Sequence, residues 1–287
     1  MILGFSGLQW AAASHLGAPH PAGFSDDLYF SAAAFFSAST PSLPSGGLGK
    51  ALQIAEAATG FGFLAIAIGY LPALFQAFSR RETAVSRLDP RAGSPPSAGA
   101  LLERSGRRGG WTELDQYLRE WESWTAELME THLSYPILGY FRSQHVNQNW
   151  IAALTTIVDA SAYAIAYGPP EAVEAAELTF RIGRHALADL AYAFSSSRRA
   201  NDPALAHDRL SAQGLVELHE RLEGSGLHAE ENEASARMLT ELRGGYERYA
   251  IAISRQLALE LPDWHAGEVR ENWRAASHPR RGDRLLP

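Results

Sequence analysis

Two hydrophobic patterns alternate along the chain: a run that is apolar on every side, and apolar positions spaced three and four apart among charges. The continuous run comes first. From Ala57 to Phe78 no position carries a charge, a stretch of 22 residues. A helix needs roughly 20 apolar residues to cross a bilayer core of about 30 Å. The pattern therefore predicts a membrane-spanning helix over 51–79, closed by Arg80–Arg81. Before it, a short apolar helix is expected over 26–36. Phe24–Ser25–Asp26–Asp27 opens it with residues suited to a helix N-terminus. A Ser/Pro/Gly stretch joins the two.

From Trp111 the second pattern takes over. Thr112 and Asp115 have the spacing of a capping box. Trp111, Leu114, Leu118, Trp121, Trp124 and Leu128 then form the stripe of an amphipathic helix, and core packing is expected for it rather than a ligand cage. Pro136 starts a new segment, and Trp150 to Tyr167 is apolar nearly all round. Asp159 at its centre would cost about 2.5–3.5 kcal/mol on insertion into a bilayer. The expectation is the buried central helix of a bundle, with Asp159 hydrogen-bonded or paired with an arginine. Pro169–Pro170 begins the next helix, which runs to about Phe194. Further helices are read near Asp208–Leu222 and Glu230–Leu261, the last with a break at Gly244–Gly245. No strand pattern occurs, so the fold class is all-α.

The flanks orient the span. Arg80, Arg81, Arg87, Arg91, Arg104, Arg107 and Arg108 follow it, whereas Lys50 alone stands just before it. Basic residues stay on the cytoplasmic side. The C-terminal bulk is therefore expected in the cytoplasm of a cell whose inner membrane holds the span. Residues 83–110, rich in Pro, Gly, Ser and Arg, read as a basic linker. Its arginines read first as a solvated tether that also fixes topology, with contact to anionic lipid, at about 1 kcal/mol each, as the other reading. Residues 111–275 form a helical domain, and 276–287 a disordered tail.

The order of these parts resembles the pore module of the bacterial two-transmembrane potassium channel family. The matching pieces are Leu28–Tyr29–Phe30–Ser31, Phe35–Phe36, Leu48–Gly49–Lys50–Ala51–Leu52, Glu56, Gly60–Phe61–Gly62–Phe63–Leu64 and Gly69–Tyr70–Leu71–Pro72. Phe78–Ser79–Arg80–Arg81–Glu82 and the segment from Leu88 to Pro96 resemble the juxtamembrane stretch of one bacterial subgroup. The resemblance covers residues 1–104 and implies a pore helix at 26–36, a filter loop at 37–42 and an inner helix at 51–79. It implies an ion channel, a homotetramer in membrane lipid, with potassium as the transported monovalent cation. In that family an outer helix stands where the apolar residues 2–16 lie, and Met1 is expected to fall inside it; an amphipathic, membrane-dipping N-terminus is the other reading of this segment. Gly69 and Pro72 mark a hinge in the inner helix. Close helix packing is the other reading of such glycines.

The filter positions depart from the family. They are Ser37, Ala38, Ser39, Thr40, Pro41 and Ser42, without either filter glycine or the acidic residue that follows. A potassium filter presents rings of backbone carbonyls to the ion, and glycine reaches the conformations this needs at little steric cost. Pro41 fixes its own φ near −65°. The resemblance thus implies the pore architecture but not potassium-selective conduction. The alternative function is a non-conducting, membrane-tethered helical protein for sensing or interaction.

Composition narrows the chemistry. A net charge of −7 argues against a nucleic-acid partner. With no cysteine, disulfides, thiolate metal sites and cysteine catalysis are excluded. His185 and Asp189 share one helix face, but no HxxxH or HExxH set accompanies them. No nucleophile elbow, phosphate-binding loop or dinucleotide fingerprint occurs. Neither enzymatic activity nor a bound cofactor or metal is expected.

Overall fold

The computed structural model describes residues 1–12, 23–39, 44, 46–145, 147–202, 207–229 and 232–265. Every regular element among them is helical. In chain order these are α1 (Ile2–Ala11), α2 (Phe24–Phe35), α3 (Gly47–Ala92), α4 (Ala98–Ser134), α5 (Trp150–Tyr167), α6 (Pro170–Ala193), α7 (Ala212–Ser225), α8 (Glu233–Gly244) and α9 (Glu247–Leu257). Short 3-10 turns lie at Pro136–Tyr140 and Arg199–Asn201. The tail expected over 276–287 lies outside the described residues.

The chain divides into two compact units, Met1–Phe75 and the part from Gln76 onward. The first holds α1, α2 and α3 up to Phe75. Helices α1 and α2 pack together, and the Asp26 carboxylate accepts a hydrogen bond from the Gly23 N–H, closing the start of α2.

The second unit is a helical bundle around α5. All of α5 except Ile165 is buried, so its apolar circumference is met by protein. Helices α4, α6, α8 and α9 pack against it. Side chains that satisfy orphan amide groups fix several helix starts. Asn149 accepts from Ala152 N at 2.8 Å, Ser211 from Gly214 N at 3.0 Å and Asn232 from Ser235 N at 2.8 Å. Pro170 occupies the first turn of α6, where its missing N–H costs nothing. Of the tryptophan-containing stripe, Leu114, Leu118, Trp121 and Leu128 are buried and Trp111 and Trp124 pack partly against the same core.

Residues 83–110 are not a linker. Helix α3 continues to Ala92, well past the expected end at 79, and α4 starts at Ala98. Val85, Leu88, Ala92, Leu101 and Leu102 join the bundle core. Burial of this thin apolar stripe overrides the low helix propensity of the Gly and Pro positions. A Cβ on Gly106 would stand 2.4 Å from Ser225 Oγ, so this glycine permits close packing rather than flexibility. The start expected near Trp111 survives as a break inside α4, where Gly110 takes φ 65° and ψ −140°.

Candidate functional site

In the first unit, α3 is long and apolar enough to cross a membrane, with a mean hydropathy of 1.8 over its best 18-residue window. Only 11% of that window is buried. Phe61, Phe63, Leu64, Ile66, Ile68 and Phe75 are exposed. Helix α5 passes the same test of length and composition but is enclosed by the bundle.

Helix α2 meets α3 at Gly60. A Cβ there would stand 1.8 Å from the Phe35 carbonyl oxygen, so the residue must lack a side chain. Phe35 also stacks at a tilt on Phe63, with ring centroids 6.2 Å apart. One turn before Gly60, Glu56 is fully buried. Its carboxylate neighbours the Ser31 hydroxyl of α2 without a hydrogen bond of normal geometry. Both residues therefore face the α2–α3 seam.

Of the filter-equivalent residues, Ser37 and Ala38 close α2. Ser37 takes φ 53° and donates its N–H to Ala34 O, while Ala38 N donates to Ala33 O at 2.8 Å. This is the paired hydrogen bonding of a Schellman cap, with serine where glycine is usual. Ser39 follows as an exposed residue, and Thr40, Pro41 and Ser42 lie outside the described residues. Gly69 and Pro72 lie within α3, which stays helical through both. Nothing stands within 4 Å of a Cβ built on Gly69, and Pro72 offers no N–H to the Ile68 carbonyl.

In the second unit several of the arginines that follow the span are tied to protein. Arg80, Arg87 and Arg91 of α3 pair with Glu127, Glu120 and Glu113 of α4, the last at 2.6 Å, as rungs between antiparallel helices. The Arg91 guanidinium also lies 4.5 Å from the Tyr117 ring centroid. Arg81 is buried. It donates to the carbonyls of Leu138 and Phe141, each at 2.8 Å, and pairs with Glu82 at 2.9 Å. Its Nη1 also lies 3.3 Å from His132 Nε2. The other ring nitrogen of His132 faces Leu128 O at 2.8 Å. That carbonyl requires Nδ1–H, which leaves Nε2 as the acceptor from Arg81. Burial, reinforced by the Arg81 charge, pushes the His132 pKa down to about 3.

At the centre of the bundle, Arg209 makes a two-pronged contact with Asp159 at 3.1 and 2.7 Å. Tyr246 donates its hydroxyl to the same carboxylate, and Glu247 approaches Arg209 at 3.3 Å. Burial disfavours the charged guanidinium, but the Asp159 carboxylate outweighs it and the Arg209 pKa rises. Burial and Asp159 together push the Tyr246 hydroxyl well above its usual range. The Glu247 carboxyl is raised by burial and by Asp159, against the pull of Arg209 and Arg243.

His185 and Asp189 do meet, at 3.3 Å on an exposed face of α6. Among the described residues no group of three metal-ligating side chains converges. Comparison with protein-family models, with curated proteins and with solved structures finds no match.

Sequence reasoning singled out Asp159 but not its partners. A lone buried carboxylate signals that an arginine exists somewhere, yet Arg209 stands 50 residues away in an unremarkable polar stretch. His132 and Arg81 carried no pairing signal either, since Arg81 read as one of several membrane-flanking charges.

Proposed function

We propose that this chain is a channel-like subunit of a cell membrane. Its first unit lies in lipid as the pore module, and its helical second unit lies on the cytoplasmic side. The observation that carries this reading is the apolar face of α3. Exposed Phe61, Phe63, Leu64, Ile66 and Ile68 would cost about 25 cal/mol for each Å² left in water. Lipid or further copies of the chain remove that cost. The seam at Gly60 adds support, because it seats the short helix α2 against the span. By its resemblance to the two-transmembrane potassium channels the assembly is a homotetramer, with Gly69 and Pro72 as the hinge.

Conduction is the finer part of the proposal. Ser37 ends α2 in a cap and no glycine occupies 37–42, so this loop does not repeat a potassium filter. That feature favours a second reading, a tethered sensing or interaction protein that keeps the pore scaffold without transport. The test is cation flux from the purified full chain in liposomes. Flux above that of empty vesicles supports the channel, and flux equal to theirs supports the tether. Recovery of the chain in the soluble fraction without detergent overturns both.

A further inference from the structure

A cavity of about 640 Å³ opens in the second unit between the segment preceding α5 and the C-terminal end of α9. Sites for small organic molecules span about 300–1,000 Å³. Its polar wall includes Arg142, His145, Gln148, Asn149, Arg209 and Arg255. Three of these are fixed by the fold. Asn149 caps α5 and donates to Glu260 O at 2.8 Å. Arg142 donates to Ala258 O at 2.7 Å and Leu257 O at 2.9 Å, at the end of α9. Arg209 is balanced by Asp159 and Glu247 behind it.

The remaining groups are unfinished. Gln148 is 6% exposed. Its Oε1 has no hydrogen-bond partner among the described residues, nor does Nδ1 of His145. A buried polar atom left unmatched is destabilising, so a ligand that supplies its partner is favoured. Arg255 is exposed and has no acidic partner among the described residues. A guanidinium has five N–H donors, so Arg142 keeps three after serving the two carbonyls. Arg142 and Arg255 outnumber Glu260, the acidic residue of the lining. Ile251, Leu259 and Leu261 supply an apolar wall. The space exceeds what an inorganic ion fills, and the wall suits a carbon skeleton.

We propose that this cavity binds a small organic anion, whose carboxylate or phosphate pairs with Arg255 and Arg142 and whose body meets Gln148 and His145. The proposal is independent of the membrane reading, since every residue it uses belongs to the second unit. The test is isothermal titration of the full chain in detergent with AMP, with citrate and with uncharged adenosine. At least one anion is expected to bind with a Kd below about 1 mM, and adenosine about tenfold or more weaker. Arg255→Glu, at an exposed position, is expected to weaken that anion by about tenfold or more. Arg181→Glu on the outer face of α6 is expected to leave it unchanged. The proposal is overturned if neither anion binds, if adenosine binds as well as AMP, or if Arg255→Glu leaves the affinity unmoved.

Discussion

Arg209 grips both oxygens of Asp159 inside the bundle, at 3.1 and 2.7 Å, with the Tyr246 hydroxyl closing the same carboxylate. Both charged side chains are almost wholly excluded from water, at 1% and 0% exposure. At that depth the pair is worth little over an apolar replacement, but either partner alone is very costly. Asp159→Asn is therefore expected to lower the unfolding free energy of the second unit by about 3–5 kcal/mol. The double change Asp159→Leu with Arg209→Met is expected to recover most of that loss. Denaturant unfolding of the detergent-solubilised chain, followed by tryptophan fluorescence, measures both.

His132 sets an acid limit on stability. Its pKa in the fold is about 3, against 6.5 for the free side chain. As pH falls below 6.5 the unfolded chain takes up a proton that the folded chain refuses until near 3. The stabilisation is complete above that window and drains away within it, by about 1.4 kcal/mol per pH unit. His132→Gln is expected to reduce the stability difference between pH 7.5 and 4.5 by about 2–3 kcal/mol. Equal pH slopes for the two proteins would refute the assignment.

The seam between α2 and α3 depends on the missing side chain at Gly60. Gly60→Ala puts a methyl 1.8 Å from the Phe35 carbonyl oxygen, so α2 must shift. Gly62 has nothing within 4 Å of a Cβ. There the same change improves helix propensity by up to about 1 kcal/mol. Thermal melting in detergent should fall for Gly60→Ala and hold or rise for Gly62→Ala.

A charge on the exposed face of α3 tests its environment. Ile66→Lys is expected to cost about 2.5–3.5 kcal/mol if that face meets lipid. The readout is the share of expressed chain that stays with carbonate-washed membranes. A large drop is expected, and an unchanged share would place this face away from lipid.

Much of the fold was legible because helical periodicity is a property of neighbours. The stripe from Trp111 to Leu128, the proline start at Pro170 and the break after Gly244 each depend on residues within two turns of one another. Asp159 was legible as a buried carboxylate because its flanks are apolar on every side. The stretch 83–110 was misread because composition hid its function. Gly106 reads as a flexible joint until Ser225 is placed against it, and Leu101 and Leu102 look incidental until a core surrounds them.

The sequence by itself determined a helical chain, a long uncharged run and the bounds of most amphipathic helices. These are written in spacings of three and four, which water and apolar surface read locally. Only the tertiary structure decided which charges meet. Arg81 finds His132 across 51 positions and Arg209 finds Asp159 across 50. Nothing local encodes such a pair, because the low-polarity interior that makes it obligatory exists only once the helices have enclosed it.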